Sequence, residues 1–275
     1  MTGDDRLGPL ARWIFIVLAP LTAVFGPLLV LAPNRTDSYW SWPISPPMSA
    51  VWVGAGYTFG ACAITTMLVL NRWRTSILAI VATIPFAFAM LVATLLHLDR
   101  FATGTVRFAI WLTIYVVLPI GLIVILVRQR RSDPGVQSGD SLLPRWVGLA
   151  GACAGGLVIA VGLVLFVYPP SADGFWPWRL TPLMAQVVAG WLFFFGTGAA
   201  MLGVERRLVA VRAFLPSVAV WFGVLGVAGL FHLRDFTNGA VATAFFFIGV
   251  TAVVLGAVGL WAFGSRLSGP SGMPR

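Results

Sequence analysis

Apolar residues along the chain gather into eight long runs separated by short polar breaks, at about 13–32, 49–70, 76–97, 108–127, 146–168, 183–204, 209–231 and 240–263. A bilayer core about 30 Å thick is crossed by roughly 20 mostly apolar helical residues, and each run meets that length. Hydrocarbon offers the backbone no hydrogen-bond partner, so such runs predict helices that satisfy their own peptide groups. The pattern predicts an all-α integral membrane bundle of eight transmembrane helices. The first run is too long for a signal-peptide core and opens with Arg12-Trp13, much as the fifth opens with Arg145-Trp146, so it reads as a retained helix.

The polar breaks carry the arginines unevenly. With a cytoplasmic N-terminus, the inner side holds Arg6, Arg12, Arg72, Arg74, Arg128, Arg130, Arg131, Arg145, Arg206, Arg207, Arg212, Arg266 and Arg275. The outer side keeps Arg35, Arg100, Arg107, Arg179 and Arg234. This bias places both termini in the cytoplasm of a cell with an inner, or plasma, membrane.

One break differs from the rest: "RQRRSDPGVQSGDSLLPR" is long, charged and interrupted by Gly and Pro, as a linker between two halves would be. It divides the chain into a first four-helix unit (1–128), a cytoplasmic linker (129–144) and a second four-helix unit (145–275). The halves align: residues 40–60 share eight identities in 21 with 176–196, and "LLHLDRF" (95–101) matches "LFHLRDF" (230–236). Four spans per unit is an even number, so two tandem copies stand parallel, related by an axis along the membrane normal. His97 and His232 are then one ancestral position present twice. Gly56-xxx-Gly60, Gly151-xxx-Gly155 and the glycines at 223, 226 and 229 would allow close helix approach, and Pro85 and Pro216 would kink their helices.

Composition changes this picture little. Apolar residues are 59% of 275 and charged ones only 10%, which excludes an ordinary soluble domain. The net charge of +9 comes from arginines that flank apolar runs, so it reads as topology and not as nucleic-acid binding. Every basic residue is Arg and none is Lys, a bias that fits a GC-rich, bacterial genome. Cys62 and Cys153 fall inside spans, where they read as buried small hydrophobes rather than as a disulfide.

The unusual residues concentrate on the predicted outer face. The Trp-Pro loops "SYWSWPISPP" (38–47) and "GFWPWRLTP" (174–182) bring Trp40, Trp42, Trp176 and Trp178 into register. They read either as an interfacial aromatic belt or as a rigid rim over a ligand entrance. His97 precedes Asp99-Arg100, and His232 precedes Arg234-Asp235. These groups could be interfacial anchors, could line a polar site on the axis, or could supply one haem or metal ligand from each half. With no Cys or intramembrane carboxylate nearby, the pair is too sparse to assign a metal site, and no cofactor is indicated.

HExxH, GxSxG, Walker A and dinucleotide glycine patterns are all missing from the sequence, so catalysis has little direct support. No Asp or Glu lies well inside a span; Glu205 belongs to the turn "VERR". That disfavours a carboxylate-coupled pump. The polar residues of note in the second and sixth spans are Tyr57, Thr58, Thr65, Thr66, Gln186 and Thr197, as interhelical hydrogen bonders or ligand contacts.

The segment "FWPWRLTPLMAQVVAGWLFFFG" (175–196) resembles a group of actinobacterial multi-pass membrane proteins of unknown function. Trp176, Pro177, Trp178, Leu180, Thr181, Pro182, Leu183, Gly190 and Trp191 carry the likeness, and the first half shares it more weakly through Trp42 and Pro46. The resemblance implies an inner-membrane location and no activity. The expected function is binding or transport of a small or amphipathic molecule between the halves near the outer face, around His97, Asp99, Arg100, His232, Arg234, Asp235, Trp42, Trp178 and Gln186. The alternatives are a non-transporting scaffold or accessory subunit and, third, a haem or metal redox protein.

Overall fold

The computed structural model describes residues 5–267, with side chains to Ala262. Eight helices are long and apolar enough to cross a bilayer: α1 (Pro9–Leu31), α3 (Pro47–Leu70), α4 (Trp73–Leu96), α5 (Val106–Arg130), α6 (Arg145–Val167), α7 (Pro182–Ala200), α8 (Leu208–Phe231) and α9 (Gly239–Leu267). A single-turn helix, α2 (Thr36–Tyr39), follows α1. Among the described residues there is no strand, only two isolated bridge pairs. The all-α membrane bundle read from the apolar runs is the observed fold, with span boundaries shifted by a few residues.

Local chemistry sets where the helices begin and end. Pro9, Pro47 and Pro182 open α1, α3 and α7, where a missing N–H costs nothing. The Thr105 and Thr181 hydroxyls cap α5 and α7 by accepting from the Phe108 and Met184 amides at 3.3 and 3.2 Å. Asn71 ends α3 at φ 49°, a left-handed turn that Asn tolerates. His97 and His232 each close a helix, and a 3₁₀ turn follows each, Leu98–Arg100 and Leu233–Asp235.

Helix packing comes in corresponding pairs. α1 lies on α3 and α6 on α7; α4 lies on α5 and α8 on α9. Across the middle, α4 packs against α7 and α8 against α3, while α4 meets α8. Glycines permit the closest crossings. A methyl at Gly54 would stand 2.8 Å from the Gly26 carbonyl oxygen, and one at Gly155 would strike the Gly196 carbonyl and the Ala200 amide. With no hydrophobic drive between helices in lipid, such backbone approach supplies the dispersion contact that holds them. Gly56 and Gly60 face Trp191 and Thr22, and Gly226 and Gly229 face α9, but Gly223 faces open space.

The bundle has two unlike ends. The linker end gathers the arginines grouped on one side by the loop count, except Arg266 and Arg275, whose side chains lie outside the described residues. There the segment before α1 pairs with the α3–α4 turn: Leu7 donates to the Asn71 carbonyl and Trp73 to that of Asp5. The linker does the same to the α7–α8 turn, Leu143 donating to Arg206 and Leu208 to Ser141. The opposite, tryptophan end holds the Trp-Pro loops and both histidines. α4 and α7 form the buried centre, whereas α1, α6 and α9 present mostly apolar outer faces. Cys153 is exposed on α6 and Cys62 half-buried on α3, which corrects the expectation that both are buried; a thiol is apolar enough to stand among lipid chains.

Candidate functional site

At the tryptophan end the loops turn inward. Trp40, Trp42, Trp176 and Trp178 keep 4, 2, 9 and 0% of their surface exposed, so they form neither an interfacial belt nor an open rim. Each indole carries enough apolar area that burial in the bundle outweighs a place at the headgroups. Trp42 packs on Phe101 and Trp111 in the first half; Trp178 packs on Trp176, Trp52, Phe236 and Phe246. The Trp178 indole donates to the Ser49 hydroxyl on α3 at 3.0 Å, joining the halves. Ala185 aligns with Ser49 in the second half, and the Trp42 indole N–H is buried without a partner.

The histidine motifs share a frame and differ in chemistry. His97 Nε2 lies 3.1 Å from Gln186 Oε1, and the Gln186 amide donates to the Phe166 carbonyl at 3.1 Å. His232 Nδ1 stands 3.8 Å from its own neighbour Asp235. Asp235 accepts from the Met48 amide at 2.8 Å and thereby caps α3. The second half carries Gln186 where the first has Ala50, so the two imidazoles meet different surfaces. Asp99 and Arg100 pair with each other at 3.1 Å in the open, where such a pair contributes little. Arg234 is exposed. The nine expected site residues therefore divide among several contacts, and His97 with Gln186 is the one direct pairing between the halves among them.

The middle of the bundle, where a site on the axis was expected, is filled by rings. Phe59 of α3 meets Phe194 and Trp221 at 5.2 and 5.8 Å between centroids, and Phe86 of α4 meets Trp191 at 4.2 Å. Room exists instead inside the first half. A cavity of about 120 Å³ is bounded by α1, α3, α4 and α5, with Trp191 and Phe194 of α7 as its inner wall.

Its lining is apolar apart from four hydroxyls. Thr22 and Thr83 spend theirs on carbonyls of their own helices. Tyr57 and Tyr115 face each other, hydroxyl to hydroxyl, at 3.3 Å. Either phenol can donate to the other. Trp40 packs on Tyr57 and Trp111 on Tyr115, which fixes both rings from the tryptophan end. The aligned positions in the second half are Phe193 and Val250, so the hydroxyl pair is particular to the first. Tyr57 stood out in the sequence as a polar residue within a span; Tyr115, inside "WLTIYVVLP", gave no such signal.

A groove of about 290 Å³ runs along the lipid side of α1 and α5, lined by Trp13, Val17, Thr113 and Val117 among others. It shares Leu18, Ile114 and Leu118 with the cavity wall. The cavity thus adjoins the lipid-facing surface through the α1–α5 seam.

At the linker end, charges missed in the sequence form a clasp. Arg207 is 3% exposed and binds Asp133 through Nη1 at 2.8 Å and Glu205 through Nη2 at 2.6 Å. The Glu205 bond, then the Asp133 bond and both charges, hold the Arg207 guanidinium protonated against burial. Burial pushes the Asp133 carboxyl up, but bonds from Arg207, the Gly135 amide and Trp73 outweigh it and leave the net shift downward. Arg74 binds Asp5 and Asp140 at 2.8 and 2.9 Å. Through Asp133 and Asp140 the linker ties the start of α4 to the start of α8. Among the described residues no three His, Cys, Asp or Glu side chains come together as a metal site. No protein-family model matches the chain, and no similar curated protein or solved structure was found.

Proposed function

We propose that the protein is an inner-membrane binding protein for an amphipathic molecule, taking its apolar segment into the first-half cavity beside the Tyr57–Tyr115 pair. The observation that carries this reading is a largely apolar cavity, with the Tyr57–Tyr115 hydroxyl pair in its wall, that adjoins the lipid face. Such sites combine apolar walls with a few placed polar groups. The position of the cavity moves the site away from the histidines and into one half.

The reading includes two parallel four-helix units with both termini cytoplasmic. The matched junctions at the linker end and the matched helix pairs support the duplication; the arginine bias supports the orientation. The likeness to actinobacterial multi-pass proteins supports the inner membrane. Binding is favoured over pumping because the spans carry no Asp or Glu. A non-transporting accessory subunit is the second reading, favoured by the apolar outer faces of α6 and α9, and a stoichiometric partner after mild extraction would decide for it.

The test is retention of a bound molecule. Protein extracted in native lipid and analysed by native mass spectrometry is expected to keep one bound molecule per chain. Ala63→Leu, which fills the cavity, should reduce its occupancy at least tenfold, and Ala63→Ser should not. Equal retention in wild type and Ala63→Leu, or no retained species, overturns the proposal.

A further inference from the structure

The geometry points to an anionic phospholipid as the molecule this site takes, its headgroup held at Arg12 and one chain running along the α1–α5 seam to the cavity; this rests on the binding function proposed above. Three observations converge on it. The recesses adjoin one another along the seam: one lined by Leu7, Pro9, Arg12, Trp13 and Ile16 shares Trp13 with the α1–α5 groove, which in turn shares its inner wall with the cavity.

The spacing matches one leaflet. From Arg12 to Thr22, which lines the cavity, is ten residues of α1, a rise of about 15 Å. Half of a hydrocarbon core about 30 Å thick is the same depth. A lipid of the leaflet at the linker end, with its phosphate level with Arg12, therefore brings the lower part of a chain to the cavity.

The mouth of the groove is cationic on both flanks. Arg12 is exposed on the first turn of α1, and among the described residues no hydrogen bond or ion pair engages its guanidinium. Arg128 and Arg130 close the last turn of α5 across the seam. Among the described residues the carboxylates at this end are committed elsewhere, Asp5 and Asp140 to Arg74, and Asp133 and Glu205 to Arg207. A guanidinium grips a phosphate through paired N–H donors, and basic side chains at this depth select lipids that carry net negative charge. Trp13, itself exposed, covers the glycerol region between head and chain.

The test uses nanodiscs of phosphatidylcholine doped with a few per cent of a lipid whose chain carries a diazirine, either phosphatidylglycerol or phosphatidylcholine. On irradiation the phosphatidylglycerol probe should label peptides 13–18 and 113–118 and, deeper, residues around Tyr57 to Ala63, several-fold more than the phosphatidylcholine probe. Arg12→Gln should reduce phosphatidylglycerol labelling about fivefold, the equivalent of roughly 1 kcal/mol for one interfacial charge, and leave phosphatidylcholine labelling unchanged. Equal labelling by the two probes, or an Arg12→Gln variant indistinguishable from wild type, overturns the headgroup assignment while labelling at 57–63 leaves the binding function standing. Labelling confined to the outer faces of α1 and α5, with none at 57–63, overturns both.

Discussion

Replacing Arg207 by Met removes the centre of the linker clasp. The guanidinium is nearly inaccessible and holds two carboxylates, Asp133 at 2.8 Å and Glu205 at 2.6 Å, whose side chains are 15 and 9% exposed. Without it both remain largely buried and uncompensated, and breaking a buried pair from one side costs about 3–5 kcal/mol. That loss falls on the joint between the linker and the α8 end, not on the spans. Trypsin reads it directly, since Arg130, Arg131 and Arg145 flank the linker, and cleavage of a segment that opens and closes quickly follows the population of its open form. At 3 kcal/mol the nicking rate at pH 7 should rise roughly 100-fold. A buried carboxylate without its counter-charge is more readily protonated, so the variant should regain protection as pH falls toward 5, while wild-type protection stays level over that range. The triple variant Arg207→Met, Asp133→Asn, Glu205→Gln should recover most of the protection at pH 7. Nicking of Arg207→Met within about threefold of wild type would refute the reasoning.

Three further outcomes follow from the same structure. The folded Asp133 carboxyl is held below its ordinary value, so its contribution is fully present above the unfolded value near 4 and is lost as pH falls through the folded one; linker protection in wild type should accordingly hold from pH 7 to about 5 and fail only in stronger acid, as limited proteolysis with an acid protease would show. Gly155→Ala places a methyl against the Gly196 carbonyl and the Ala200 amide, and should lower stability by about 1–3 kcal/mol in a detergent-denaturation titration, whereas Gly156→Ala, which faces open space, should be neutral within about 0.5 kcal/mol. Ser49→Ala strands the fully buried Trp178 indole N–H and should cost about 1–3 kcal/mol in the same assay, while Ser38→Ala, at an exposed position of α2, should change nothing measurable.

The spans were legible because the bilayer imposes both a length and an apolar composition on them, and both are written in consecutive residues. The sorting of most arginines to the linker end was legible for the same reason. Long-range partners were not. Asp133 and Asp140 look like solvated linker charges until the fold brings Arg207 and Arg74 to them across 74 and 66 residues. The Trp-Pro loops carry the composition of an interfacial belt, and nothing local says that their rings turn inward. Even the matched histidines misled in part, because a side chain's role depends on what faces it: Gln186 for His97, and for His232 its own neighbour Asp235. Tyr115 shows the limit most plainly, since its significance lies entirely in a partner on another helix.

The most direct measurement is a density map of the protein in native-lipid nanodiscs, resolved well enough to show side chains on α1, α3 and α5. An elongated density from the Arg12–Trp13 mouth through the α1–α5 seam, ending against the Tyr57 and Tyr115 hydroxyls, is the predicted result. A map in which α1 closes on α5 and the Tyr57–Tyr115 cavity holds nothing, in protein that retains its native lipids, would contradict it.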